Sequence, residues 1–168
     1  MEKNISNKLV KTAVVAALYT VLTVALAPIS YGIIQFRISE VMVLLAFFNP
    51  IYIGGLTLGC LISNIFGGNG PLDIIFGTFA TFISVVSISL TAKFLKTNKI
   101  SLIIASLWPV IFNGIIIGWM LNVISGAPLL LTMAEIALSE FIIVSVIGVP
   151  LALLLKNKYG EKLKLVKS

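Results

Sequence analysis

The stretch Leu61-Ile62-Ser63-Asn64-Ile65-Phe66-Gly67-Gly68-Asn69-Gly70-Pro71-Leu72-Asp73-Ile74-Ile75-Phe76-Gly77 decides how the chain is read. Two apolar runs flank a turn, Gly67–Pro71, that no regular helix crosses, because glycine opens positive φ and Pro71 has no amide donor. Asn64, Asn69 and Asp73 gather at that turn. A polar cluster between two apolar segments, at what should be the edge of a bilayer, is the expected mouth of a binding pocket.

Outward from this turn the chain is just as apolar: 59% of its 168 residues are hydrophobic and 11% charged, with a mean hydropathy of +1.13. A soluble chain of that composition would lack the polar surface to cover itself, so the expectation is an all-α integral membrane protein forming a single domain over 1–168. Histidine is absent and Cys60 is the one cysteine, which removes the usual zinc, haem and Cys/His nucleophile chemistries and any internal disulfide. Cys60, inside an apolar segment, reads as a small packing residue. Ala25-Leu26-Ala27 resembles a signal cleavage site, but Pro28 follows it and further spans come after, so the first apolar run is expected to stay attached.

The spans expected are 10–27, 33–48, 51–66, 72–92, 100–122 and 129–155. The first, 18 residues long, nearly crosses a hydrocarbon core of roughly 30 Å. Residues 33–66 are ambiguous, because Asn49-Pro50 interrupts them and each half is short; either two spans or a re-entrant hairpin fits. Charge favours an even number of crossings. Lys3, Lys8 and Lys11, then Lys93, Lys96 and Lys99, then Lys156, Lys158, Lys162, Lys164 and Lys167 all fall on the cytoplasmic side only if 33–66 goes out and back. The reading is therefore six transmembrane helices with both termini cytoplasmic. It leaves charges of +11 and −2 inside and +1 and −4 outside, an acidic outer vestibule that suits a neutral or cationic ligand. The inner lysines point to lipid headgroups, and no solvated basic domain points to nucleic acid.

Polar residues inside such a membrane need a reason. Glu135 and Glu140 lie roughly 9 and 17 Å into the last span and point about 140° apart, so they cannot both face one small ligand squarely. Glu140, the deeper, is expected to touch ligand, the plain alternative being a pair with Arg37 or with a neighbouring asparagine. Gln35-Phe36-Arg37-Ile38-Ser39-Glu40 opens the second span; Arg37 and Glu40, three apart, either pair with each other or set a donor fork and an acceptor at the pocket rim. Asn113, mid-span, serves as interhelical glue or as a ligand contact. Trp119 reads as an interface-belt aromatic or as a stacking surface for a flat ligand. Gly55-xxx-Gly59, Gly114-xxx-Gly118 and the Ala13, Ala17 face allow close helix approach, inside the protein or against another membrane subunit. No Gly-Lys-Ser/Thr follows the glycine turn, so the chain is not expected to hydrolyse ATP.

Taken together these residues resemble the QueT family, substrate-binding (S) components of energy-coupling-factor (ECF) vitamin transporters proposed to import queuosine precursors. The resemblance covers nearly the whole chain. It rests on the 35–40 motif, on Gly55-Leu56-Thr57-Leu58-Gly59-Cys60-Leu61-Ile62-Ser63-Asn64, on Gly67-Gly68, on Leu72-Asp73-Ile74-Ile75-Phe76-Gly77, and on Asn113 and Ser139-Glu140. At the last of these the family often has Gly-Glu. The resemblance implies six helices in a bacterial plasma membrane with an extracellular-side ligand pocket. It also implies a first-helix face, Ala13 and Ala17, that docks a transmembrane coupling subunit. Two cytoplasmic ATPases on that subunit would hydrolyse the ATP, so the chain itself is expected to be no enzyme and to carry no cofactor or metal. S components of this kind are thought to topple in the membrane to deliver ligand inward.

A 7-deazaguanine ligand such as queuine or preQ1, the aminomethyl form, suits the polar residues. One carboxylate can accept from the ring N1–H and the 2-amino group in parallel, an amide (Asn113 or Asn64) can satisfy the remaining edge, and Phe36 or Trp119 can cover the ring. Glu140 is expected to read the guanine-like edge, with Glu40 or Asp73 meeting the amine of preQ1. The rival readings are an S component for another vitamin or nucleobase, a stand-alone ion-coupled carrier, a membrane enzyme and a ligand-free assembly subunit.

Overall fold

A computed structural model describes residues 2–32 and 35–159. Ile33 and Ile34, with which the second expected span begins, lie outside the described residues, as do Glu161, Lys162, Lys164 and Lys167. The described residues are helical, joined by turns: α1 (Glu2–Ala25), α2 (Ala27–Ser30), α3 (Ile38–Phe48), α4 (Tyr52–Phe66), α5 (Asp73–Leu95), α6 (Lys99–Ser125) and α7 (Leu129–Lys158). Four of them, α1, α5, α6 and α7, are long and apolar enough to cross a membrane, and α3 and α4 are shorter apolar helices.

The breaks fall where backbone chemistry requires them. Gly68 and Gly70 take φ of +74° and +89° in the turn before α5, a conformation costly for a side chain bearing Cβ. Asn98 caps α6, its side chain accepting from the Ser101 amide at 2.9 Å while the Ser101 hydroxyl accepts from the Asn98 amide, a reciprocal cap. Gly126, φ +70°, ends the same helix. α3 begins as a 3₁₀-helix over Ile38–Leu44 and tightens to α-geometry only at Leu45–Phe48. Its 11 residues, with the 15 of α4, form a hairpin about the Asn49–Ile51 turn in which neither arm reaches the length of the other spans.

Sequence neighbours pack against one another from α4 through α7, α1 closes on α4, and α3 sits among α1, α5 and α7. Both glycine repeats seal interior seams. A Cβ on Gly55 would lie 2.7 Å from the Thr12 carbonyl and one on Gly59 2.9 Å from that of Ala16, so α4 lies directly on α1. Likewise a Cβ on Gly118 would lie 2.7 Å from the Met133 Cα, and Gly114 faces Ala137, bringing α6 onto α7. The main apolar core, with Tyr52, Leu56, Ile88, Leu102 and Ile143, lies beside α3. Lys8 and Lys11 sit at the start of α1, Lys93, Lys96 and Lys99 at the α5–α6 turn, and Lys156 and Lys158 at the end of α7. Lys156 reaches the Thr97 carbonyl at 3.2 Å, which places that turn and the α7 terminus at the same end of the bundle.

Candidate binding site

At the opposite end, where α1 finishes and α3, α5 and α7 begin, Gln35, Arg37, Glu40, Gly77, Thr81, Asn113, Ile117, Ile136 and Glu140 surround one cavity. Its volume is about 10 Å³, the room of roughly one water molecule. Local backbone irregularity aims several of these side chains. Gln35 holds φ at +46°, unusual for a residue with a side chain, and its carbonyl accepts from the Ser139 hydroxyl at 3.5 Å. α5 opens with a π-helical turn over Asp73–Gly77, and a second π-helical segment, Phe141–Gly148, begins directly after Glu140; such widened turns recur at functional sites.

Each carboxylate of the cavity is half satisfied. The Tyr19 hydroxyl of α1 donates to Glu40 Oε1, and Asn113 Nδ2 donates to Glu140 Oε1 at 2.8 Å. Glu40 Oε2, Glu140 Oε2, Asn113 Oδ1 and Gln35 Nε2 are buried with no partner. An unpaired buried polar atom costs about 1–3 kcal/mol, and native structures hold few of them. Four on the residues of a single small cavity therefore call for a group that completes them. They present three acceptors and one donor, beside two carboxylates that have no cation bonded to them in the described structure.

The neighbouring polar cluster is closed on itself. Arg37 Nη2 pairs with Asp73 Oδ1 at 3.4 Å and Nη1 donates to Asn64 Oδ1 at 3.0 Å, while the Arg37 Nε reaches the Ser30 carbonyl. Asn64 Nδ2 donates to the Asp73 carbonyl at 3.1 Å, and Asn69 Nδ2 to Asp73 Oδ2 at 3.3 Å. The Tyr31 ring lies 5.6 Å from the guanidinium, and its hydroxyl donates to the Ser63 carbonyl at 2.6 Å. Gly77 is required here because a Cβ would lie 2.7 Å from Asn64 Nδ2 and 2.9 Å from Asp73 Oδ1.

Of the residues singled out in the sequence, Gln35, Arg37, Glu40, Asn113 and Glu140 meet at the cavity. Asn64 and Asp73 do not line it; both are committed to Arg37, so Asp73 is not placed to meet a ligand amine. The expected Arg37–Glu40 alternative gives way to Arg37–Asp73, because Glu40 turns toward Tyr19. Glu135 is half-buried away from the cavity, consistent with its angle from Glu140. Trp119 is 41% exposed and meets Phe76 edge-on at 5.2 Å, and Phe36 packs into the apolar core, so neither covers the cavity. Glu140 takes a neighbouring asparagine, Asn113, as partner at Oε1 and leaves Oε2 without one. Ala13 and Ala17 are exposed on α1, on the face that also carries Val14, Leu18 and Val21.

Sequence reasoning missed Tyr19, Thr81 and the apolar lids Ile117 and Ile136. Tyr19 is wholly buried, and its one sequence signal is Thr23, a second hydroxyl one turn further along the same helix face.

The QueT transporter family model matches residues 9–157. A curated relative, "Queuosine precursor transporter QueT" of Lactococcus lactis subsp. cremoris (strain MG1363), is 35% identical over 151 residues, covering 84% of this chain and 88% of the relative. No solved structure matches this chain.

Proposed function

The chain belongs to the QueT transporter family, and from that premise we propose that it is the substrate-binding component of an ECF-type importer of a queuosine precursor, a preQ1- or queuine-like 7-deazaguanine. As a transporter with several apolar helices it is a multi-pass membrane protein. In the proposed arrangement α3 and α4 serve as the second and third of six spans and both termini are cytoplasmic. The cavity then opens toward the outside.

The observation that carries the reading is the set of unpaired atoms, Glu40 Oε2, Glu140 Oε2, Asn113 Oδ1 and Gln35 Nε2, on one cavity. A 7-deazaguanine is rich in donors along its ring edge and offers a carbonyl acceptor, and the aminomethyl arm of preQ1 adds a cation. Glu140 Oε2 and Asn113 Oδ1 accept from the ring edge, Glu40 Oε2 meets the amine, and Gln35 Nε2 donates to the carbonyl. A bicyclic base exceeds the volume present, so the walls part on binding. Ile117 and Ile136, held there by contact alone, separate at less cost than the hydrogen-bonded pairs. ATP hydrolysis belongs to partner subunits, and the exposed Ala13, Ala17 face of α1 docks the coupling subunit through close small-residue packing.

The test is equilibrium binding of preQ1, queuine, guanine and unrelated vitamins to the purified protein, followed by uptake into vesicles with and without the coupling subunit and ATPases. Tight binding of a 7-deazaguanine and uptake only with ATPases are expected. Preference for another vitamin overturns the substrate. Uptake without ATPases that an ionophore abolishes overturns the S-component role.

A further inference from the structure

Resting on the reading of this cavity as the ligand site, we propose that Tyr19 is a positioning residue that fixes Glu40 so that each of the two cavity carboxylates offers one oxygen to the ligand. The Tyr19 hydroxyl has a single proton, and it is used on Glu40 Oε1. The contact does not stand alone. Thr23, one turn along α1, bridges the Tyr19 carbonyl at 2.8 Å and the Ser39 hydroxyl at 2.6 Å, so α1 grips the start of α3 at two successive residues, Ser39 and Glu40. Across the cavity Asn113 of α6 treats Glu140 of α7 in the same way. In both pairs Oε1 is held by a donor on another helix and Oε2 is left bare.

This symmetry has a consequence for specificity. With Oε1 of each carboxylate already engaged, Oε2 is the unoccupied acceptor that each turns toward the ligand. A ligand gains most when separate donors reach both carboxylates, one at each end of the molecule. An amine-bearing 7-deazaguanine meets that requirement, whereas guanine lacks the second, charged donor. The titratable groups around Glu40 are Tyr19 on α1, Arg37 three residues before it, Cys60 on α4 and Glu140 on α7. Arg37 is taken up by Asp73; Tyr19 donates to Glu40 Oε1, and the Thr81 hydroxyl of α5 also lies against the Glu40 carboxylate.

The test compares wild type, Tyr19→Phe, Glu40→Gln and the double variant. Tyr19→Phe should weaken preQ1 binding about 10-fold or more while guanine changes less than about threefold. In a Glu40→Gln background the Tyr19 change should cost little more. Independently of any ligand, the infrared carboxylate stretch assigned to Glu40 by its loss in Glu40→Gln should move in Tyr19→Phe. Equal losses for both bases would show a merely structural tyrosine and overturn the proposal, as would an unmoved infrared band. Failure of wild type to bind either base would instead overturn the ligand reading, with the infrared band still deciding whether Tyr19 holds Glu40.

Discussion

Two buried polar clusters lie side by side at one end of this bundle, built from the same kinds of residue, and they differ in what they leave open. Around Arg37 the carboxylate of Asp73 and the amides of Asn64 and Asn69 satisfy one another across α3, α4 and α5. Around Glu40 and Glu140 the same chemistry stops short, with three acceptors and one donor unpaired. Carboxylates and amides buried among apolar helices are thus of two sorts. One sort holds helices together, and the other leaves atoms unpaired that the proposed ligand would complete. Replacing members of each should separate stability from binding.

The largest effect is expected in the closed cluster. Asp73→Ala leaves the buried Arg37 without its counter-charge, and breaking a buried pair this way costs about 3–5 kcal/mol. Thermal unfolding in detergent should show a melting temperature far below wild type, and a variant as stable as wild type would mean that the pair is not structural. In the open cluster Glu140→Gln should do the reverse. It removes a charged acceptor worth roughly 1.5–3 kcal/mol from 7-deazaguanine binding, and the melting temperature should hold or rise because a costly buried charge is gone. Titration calorimetry showing unchanged affinity would take Glu140 out of the site.

Gly77 lies where the clusters meet. Gly77→Ala pushes a methyl against Asn64 Nδ2 and Asp73 Oδ1, and overpacking of this kind costs about 1–3 kcal/mol. Both stability and ligand affinity should fall together, and loss of only one would show that the clusters are mechanically separate. The smallest effect on the site is expected from Ala13→Trp. Ala13 lies on the exposed face of α1, so base affinity should stay within about twofold while co-purification with a coupling subunit is lost. Survival of the complex would place docking elsewhere.

How much of this was legible in the sequence follows the same division. The glycine turn, the apolar runs and the lysine clusters are local signals, and they place α4 to α7 within about three residues of where they lie, whereas α1 begins at Glu2, eight residues before the expected 10–27 span. In α3 the expected 33–48 span is non-helical at 35–37 and helical from Ile38, opening in 3₁₀ geometry. Polar residues in apolar surroundings mark both clusters as unusual. The sequence could not say which carboxylate had found a partner, because Asp73, Glu40 and Glu140 look alike until α3, α4, α5 and α7 are brought together. Trp119 and Phe36 read as ring covers in the sequence because aromatics near polar residues serve either purpose, and only their facing decides. Tyr19 was invisible for the opposite reason. In a run of valine, leucine and alanine it reads as one more membrane aromatic, and the contact that sets it apart is made 21 residues away.

The central claim is that the open cluster is finished by a ligand and the closed one is not. An experimental structure of the protein with preQ1 bound tests it most directly. The base should lie between Glu40 and Glu140, within hydrogen-bond distance of Oε2 of each, with the Arg37–Asp73 pair intact. A base seated elsewhere, or one bound to Asp73 with Arg37 displaced, would contradict the account.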